Sequence, residues 1–211
     1  MDWQDINDAI FNGDIVQTSK LVSQAISEGE TPKDILENGL IAGMAKVGVK
    51  FKLNEIFVPE VLIAAKAMHS ALIILEPLLA NSGVKPKATI VVGTVKGDLH
   101  DIGKNLVVMM LKGAGFNVID IGIDACAETF IDKAVSSGAS LIAMSSLLTT
   151  SMPSMKTIVE RLRQRGLSDR IKTIIGGAPV TQEYADHIGA DGYSQDASSA
   201  VDKAKELLGL L

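Results

Sequence analysis

The spacing of apolar residues changes once, near residue 80, and this change limits the possible folds of the 211-residue chain more than any other feature. Before that point, apolar residues recur every three or four positions, which is the helical period. After it, short β-branched runs alternate with helical stretches. A chain of this length with one such change is expected to form two domains, at residues 1–84 and 88–211.

The first domain is predicted to be a four-helix bundle. A short helix is expected over residues 5–11, and an apolar stripe over residues 15–26 predicts a second helix. The third begins where Thr31 can cap a helix that has Pro32 in its first turn. The longest stripe follows Pro59. Brief turns between such helices favour an antiparallel bundle.

Asn81, Ser82 and Gly83 have the composition of a linker, and five strand–helix units follow them. The predicted strands lie at residues 88–95, 117–123, 141–146, 172–178 and near 192–194. Continuous apolar runs are typical of parallel strands that are covered on both faces. We therefore expect an α/β domain with a flavodoxin/Rossmann-like five-stranded parallel sheet and flanking helices, and functional loops at the carboxyl ends of its strands.

Composition and charge exclude several classes of protein. Cys126 is the single cysteine, so no disulfide forms within the chain, as expected in a reducing cytoplasm. The acidic N-terminus does not resemble a signal peptide, and no uninterrupted apolar run is long enough to predict a membrane span. Residues 1–84 hold 11 acidic and 6 basic side chains, and residues 85–211 hold 14 of each. Neither part has the basic excess that predicts nucleic-acid binding.

The loop after the first strand, KGDLHDIGKN, does not fit the two common phosphate-binding motifs. The spacing of Gly93, Gly97 and Gly103 does not match a dinucleotide-binding fingerprint. Five residues, where a P-loop has four, separate Gly97 from Gly103, and Asn105 stands where that motif needs a hydroxyl.

The same loop places His100 between two carboxylates, Asp98 and Asp101. One interpretation is a surface histidine in an acidic turn. The other is a metal ligand, because Asp98 could bind one imidazole nitrogen and leave the second nitrogen facing outward. With no other ligand residues nearby, a metal here would have to arrive already held by a macrocycle.

Small and hydroxyl-bearing residues follow the third and fourth strands. The third loop has hydroxyls at Ser145, Ser146, Thr149, Thr150 and Ser151. One hydroxyl, that of Ser151, would be enough to cap the next helix. The fourth strand ends in Gly176, Gly177 and Ala178, which could form only a tight turn. Together, these loops could instead leave a narrow slot for a planar group.

These residues resemble a known module. The pattern Asp98-x-His100-x-x-Gly103, the hydroxyl loop from Ser145 to Ser151 and the turn Gly176–Ala178 resemble the cobalamin-binding module that holds its cofactor base-off. GLIAGMAKVGVKF and NEIFVPEVLIAAKAM, in the first domain, are similar to the helical cap of methionine synthase and of stand-alone corrinoid proteins of methyltransferase systems.

The resemblance implies a role for each matching residue. His100 would be the lower cobalt ligand, in place of the cofactor's dimethylbenzimidazole, and Asp98 and Ser151 would continue from it as a hydrogen-bonded relay. Ser145 and Thr149 would contact the displaced nucleotide tail. The remaining implied contacts of the cofactor are Gly97, Leu99, Asp101, Ile102, Gly103, Leu147, Gly176, Gly177, Ala178 and Ala197. Phe57, with Met44 and Val61, would cover the methyl face.

The implied function is that of a methyl carrier. Cobalt would accept a methyl group as Co(I) from a cognate substrate methyltransferase and present it as methyl-Co(III) to a second methyltransferase, and a reductive activase would restore lost Co(I). The residues show no separate catalytic constellation. Two alternatives stay open: a cobalamin-dependent sensor and an adenosylcobalamin-binding mutase subunit. Methanol, methylamines, betaines and methoxyaromatics all fit as donors.

Overall fold

The computed structural model describes residues 2–83 and 85–210, apart from the side chain of residue 80. It divides into two compact units. The first comprises Met1–Pro86 and Gly113–Gly115, and the second comprises Lys87–Lys112 and Phe116–Leu211.

The first unit is helical, and its helices begin at capped positions. They are α1 (Trp3–Phe11), α2 (Ile15–Ser27), α3 (Pro32–Asp34), which continues through a π-helical segment (Ile35–Ile41) into α4 (Ala42–Lys52), and α5 (Val58–Ser82). The side chains of Asp2, Asp14 and Thr31 accept hydrogen bonds from backbone N–H groups of the first turns of α1, α2 and α3. Since α3, the π segment and α4 are continuous, residues 2–83 contain four successive helices.

The π segment lies where α1 packs closely against it. A β-carbon at Gly39 would be 3.3 Å from the Ile6 side chain, and one at Gly43 would be 3.1 Å from the Asn7 backbone. The Asn7 side chain donates to the carbonyls of Asn38 and Gly39, at 2.9 and 2.8 Å. Small residues therefore permit the approach, and Asn7 binds carbonyls within the widened helix.

Helix α5 differs from the prediction at its end. Asn81 and Ser82 were expected in a linker, but the helix continues through Ser82 and ends at Gly83, whose φ of 70° forms a left-handed cap. By length and composition alone, its segment Val58–Leu79, with a mean hydropathy of 1.6, could cross a membrane. The core helix of a water-soluble protein passes the same test, and α5 packs against α2.

The second unit is an α/β sandwich around a five-stranded parallel sheet, which confirms the predicted fold class. Its strands are β1 (Thr89–Thr94), β2 (Asn117–Asp120), β3 (Leu141–Ser145), β4 (Lys172–Gly176) and β5 (Gly192–Ser194). Its helices are α6 (Ile102–Gly113), α7 (Ala127–Ser137), α8 (Met152–Gln164), α9 (Gln182–Ile188) and α10 (Ala197–Leu207). Strand β2 is shorter than the apolar run predicted because Gly122, at φ 81°, turns the chain soon after Asp120.

The strand order, β2-β1-β3-β4-β5, determines where a ligand can bind. The direction of winding reverses between β1 and β3, which pair from Ile90 with Leu141 to Thr94 with Ser145. At such a switch point the loops that leave two neighbouring strands diverge to opposite faces and leave a crevice between them. Here these are the His100 loop and the hydroxyl loop.

Candidate functional site

The centre of the site is the buried carboxylate of Asp98, which is 0% exposed. Its Oδ1 accepts hydrogen bonds from the backbone N–H of His100 at 3.0 Å and from Nδ1 of the same residue at 2.8 Å. Its Oδ2 accepts from the backbone N–H of Leu147 at 2.7 Å and from Ser151 Oγ at 2.9 Å. One carboxylate thus connects the loops that follow β1 and β3.

These donors determine the charge of Asp98. Burial alone raises the pKa of a carboxyl group, because it penalises the charged form. The N–H groups of His100 and Leu147, the His100 imidazole and the Ser151 hydroxyl outweigh burial and hold the pKa of Asp98 well below its usual range. The carboxylate is therefore ionised near neutral pH, and each of its oxygens can only accept.

The orientation of His100 follows from that charge. An ionised Asp98 requires the proton on Nδ1, and in the neutral imidazole this leaves the lone pair on Nε2. The side chain is 52% exposed, and Nε2 has no hydrogen-bond partner among the residues that the structure describes. A fixed ring with a free, outward-facing nitrogen is the arrangement of a metal-ligating histidine.

Two hydroxyl residues at this site were not singled out for it by the sequence. Ser146 is buried, and its Oγ lies 2.7 Å from Ser151 Oγ and donates to Asp98 Oδ2 at 3.3 Å. Thr94 is buried at the end of β1 and donates to the carbonyl of His100 at 2.8 Å. A hydroxyl at the end of an apolar run was the available signal for Thr94. Ser146 follows directly after Ser145 at the end of its strand, so the same signal did not point to Ser146 in particular.

Three apolar side chains of this site face solvent. Leu99 is 69% exposed, Ile102 is 77% exposed and Leu147 is 45% exposed. Leu99 and Leu147 lie on the two loops joined by Asp98, and Ile102 is the first residue of α6. Exposed side chains of this size at a switch-point crevice are suited to a large, flat, partly apolar ligand.

The glycines of the site differ in what surrounds them. A β-carbon at Gly103 would have nothing within 4 Å, and one at Gly97 would meet only Ser151, at 3.9 Å. In contrast, a β-carbon at Gly177 would be 1.8 Å from the Ser146 carbonyl oxygen, and one at Gly176 would be 2.8 Å from that of Ser194. Gly176 and Gly177 therefore permit close backbone packing, whereas Gly97 and Gly103 border open space.

The other predicted contacts lie around this centre. Ser145 is half-buried at the end of β3, opposite Gly176 in the register with β4, and Thr149 is exposed. Ala178 is exposed, whereas Ala197 is buried in the first turn of α10. Asp101 is exposed and accepts from the Asn105 side chain rather than from His100. These residues are not joined to Asp98 by hydrogen bonds.

The three covering candidates in the helical unit differ in exposure. Phe57, just before α5, is 63% exposed. Met44 and Val61 are 3% and 0% exposed, so both are core residues in this structure. Of the three, Phe57 alone presents a free apolar surface.

The donor set fits a metal that brings most of its own ligands. Within residues 2–83 and 85–210, no group of three or more His, Cys, Asp or Glu side chains could hold a metal ion. The single imidazole of His100, beside exposed apolar side chains, would fit a metal that a large ring already holds, such as the cobalt of a corrin.

Comparisons with known proteins agree with this chemistry. Residues 88–202 and residues 3–76 match two families described as B12 binding domains. The chain is 44% identical to the dimethylamine corrinoid protein of Methanosarcina barkeri, over 97% of this chain and 96% of that protein.

Solved structures show the same fold. A cobalamin-binding protein from Desulfitobacterium hafniense has a TM-score of 0.83 and 30% identity, with 98% of each chain covered. A chain of the methanol:cobalamin methyltransferase complex of M. barkeri has a TM-score of 0.87 and 30% identity, covering 98% of this chain and 79% of that one. By sequence and by fold, the chain belongs to the family of B12-binding corrinoid proteins.

Proposed function

We propose that this protein carries methyl groups on a corrinoid whose cobalt is ligated from below by His100. The observation that supports the proposal most strongly is the Asp98–His100 pair. It fixes the imidazole through Nδ1 and leaves Nε2 free at the switch point of the sheet. When bound, the corrin supplies a cobalt ion that can accept a methyl group and give it up again.

His100 would replace the cofactor's own base, so the corrinoid would bind base-off and His-on. Ligation needs an unprotonated Nε2, which the ionised Asp98 favours by keeping the proton on Nδ1. A proton on Nε2 would leave that nitrogen without a lone pair for cobalt. The hydroxyls of Ser151 and Ser146 stabilise the charge on Asp98 and so favour the ligating form.

The rest of the site would hold the displaced nucleotide tail. Ser145 and Thr149 offer hydroxyls, and Gly97 and Gly103 offer backbone beside open space. Leu99, Ile102 and Leu147 offer apolar surface for the ring. Phe57, an exposed aromatic side chain, is the candidate to cover the methyl face.

The relatives indicate the donor to test first. The dimethylamine corrinoid protein is more similar in sequence than the chain of the methanol complex, at 44% against 30% identity. A methylated amine is therefore the preferred donor class. The proposed partners are a cognate amine methyltransferase, a methyltransferase that delivers the group to its acceptor, and a reductive activase, all in the cytoplasm.

The test begins with hydroxocobalamin added to the purified protein. We expect a coloured complex whose absorption spectrum differs from that of free cofactor, and a His100→Ala variant that still binds through the slot but loses the spectrum of histidine-ligated cobalt. A protein that stays colourless, or a His100→Ala spectrum identical to that of wild type, would contradict the proposal.

The second stage tests the carrier function. The reduced holoprotein, mixed with a dimethylamine corrinoid methyltransferase and dimethylamine, should gain one methyl group per corrinoid, whereas His100→Ala should be slower. A protein that takes no methyl group but, when loaded with adenosylcobalamin in its place, releases the adenosyl ligand in light would favour the sensor. Co-purification with a barrel-type mutase subunit would favour the mutase.

A further inference from the structure

We propose that Thr94 is a positioning residue, which fixes the backbone of His100 so that its imidazole meets the corrin at the correct height and angle. This inference rests on the proposed ligand role of His100. It assigns to the buried end of β1 a function separate from that of the Asp98 relay.

The contact is direct and shielded from solvent. Thr94 is 0% exposed, and its Oγ1 donates to the His100 carbonyl at 2.8 Å. A hydroxyl that is buried needs a partner, and the His100 carbonyl is the one that this strand end provides. The bond therefore joins the last residue of β1 to the histidine itself, across the loop between them.

Thr94 is itself held rigidly. Its backbone N–H donates to the Gly122 carbonyl at 2.9 Å, and its carbonyl accepts from the Ala125 N–H at 3.0 Å. It also faces Ser145 in the parallel register of β1 and β3. The Thr94 hydroxyl is therefore fixed by the sheet, and its hydrogen bond holds the loop in place relative to the sheet.

Together with Asp98, Thr94 constrains His100 on three sides. Asp98 Oδ1 accepts from the backbone N–H and from Nδ1, and Thr94 binds the carbonyl. Asp98 fixes the rotation of the His100 ring and the proton on its Nδ1. It does not bind the His100 carbonyl, so the peptide that leads into α6 could still tilt. Thr94 removes that freedom, and a bound ligand gains affinity when the free protein already holds the required geometry.

The test compares Thr94→Val, which keeps the shape but removes the hydroxyl, with Thr94→Ser, which keeps the hydroxyl. Each variant is loaded with hydroxocobalamin and reduced to the Co(II) form. Each variant is labelled with ¹⁵N-histidine, so that electron paramagnetic resonance can measure the ratio of His-ligated cobalt, whose lines are doublets, to all other cobalt. We expect Thr94→Val to bind the corrinoid with a ratio about fivefold or more below wild type, the effect of losing about one neutral hydrogen bond. Thr94→Ser should restore the ratio.

Thr173→Val is the matched control. Thr173 is also a buried strand threonine, 2% exposed, and its Oγ1 donates to Asp191 Oδ2 at 2.9 Å, near the amino end of β4. It should lose stability but keep the wild-type ratio. A shifted ratio in Thr173→Val would mean that the measurement reports sheet stability, which would overturn the inference.

The remaining outcomes separate this inference from the proposed function. If wild type itself shows no histidine nitrogen on cobalt, the proposed ligand role fails and this inference fails with it. If wild type and Thr94→Val have the same ratio, only the positioning role fails. If Thr94→Val does not bind corrinoid, Thr94→Ala is measured in its place. Loss of binding in both variants would assign Thr94 to folding and overturn the positioning role.

Discussion

The two units of this chain contribute different kinds of residue to the candidate site. In the α/β unit, the loops after β1 and β3 bury polar groups, and Asp98 is saturated with donors although it is 0% exposed. In the helical unit, Phe57 is an apolar side chain that is 63% exposed, while Met44 and Val61 are core residues. Buried polar groups that satisfy one another are costly to rearrange, whereas an exposed apolar side chain can be replaced at little cost.

The largest expected difference lies between the two carboxylates that flank His100. Asp98→Asn should destabilise the apoprotein by about 3 kcal/mol, because an amide nitrogen would face the N–H donors that the buried carboxylate now accepts. Asp101→Asn, on an exposed side chain, should change the free energy of unfolding by less than about 0.5 kcal/mol. Urea denaturation measures both. Equal effects would contradict the buried network.

The helical unit offers the same comparison for apolar residues. Val61→Ala should cost about 2 kcal/mol, because it removes buried methyl groups from a side chain that is 0% exposed. Phe57→Ala should change the free energy of unfolding by about 0.5 kcal/mol or less. If Phe57→Ala proved as destabilising as Val61→Ala, the aromatic ring would be a core residue and not a candidate cover.

The pH dependence of stability tests the charge on Asp98. Its pKa in the folded protein lies below the unfolded value of about 4, so its ionised form contributes stability above that pH. This contribution is lost as the pH falls toward the folded pKa, by at most about 1.4 kcal/mol per pH unit. The difference in unfolding free energy between wild type and Asp98→Asn should therefore narrow below about pH 4. A constant difference would show that Asp98 is not ionised in the fold.

The smallest differences between paired variants are expected among the serines. Ser151→Ala should cost about 1.5 kcal/mol, since it removes a hydrogen bond to a charged acceptor. Ser146→Ala should cost less, because its bond to Asp98 is longer, at 3.3 Å against 2.9 Å. Ser154→Ala, which removes a bond to the Lys96 carbonyl at the surface, is the control. The order Ser151, Ser146, Ser154 in thermal unfolding checks this, and a larger loss for Ser154 would contradict it.

Sequence reasoning predicted the elements of the fold better than their ends and their neighbours. Apolar periodicity located the helices and all five strands, because period depends on local burial. It could not give the strand order, which depends on contacts between distant segments. Composition placed Asn81 and Ser82 in a linker. In the structure they belong to α5, which ends only where Gly83 adopts a left-handed conformation.

The parts of the site that lie within short sequence motifs could be predicted. The pattern around Asp98 and His100 was readable because its residues are close in sequence. The contacts of Ser146 and Thr94 were not, because both depend on how two loops meet at the switch point. The exposure of Phe57 and the burial of Val61 were equally hidden, since both lie on apolar stretches with the same helical pattern.

The most direct test of the account uses the nitrogen isotope of histidine. The holoprotein is produced with ¹⁵N-histidine and with natural histidine, loaded with hydroxocobalamin and reduced to Co(II). Because ¹⁵N and ¹⁴N have different nuclear spins, a histidine ligand predicts that each nitrogen-split cobalt line changes from a triplet to a doublet. This splitting should be absent in His100→Ala. A triplet that persists after labelling would show that the cofactor's own base remains on cobalt, and it would contradict the role of His100.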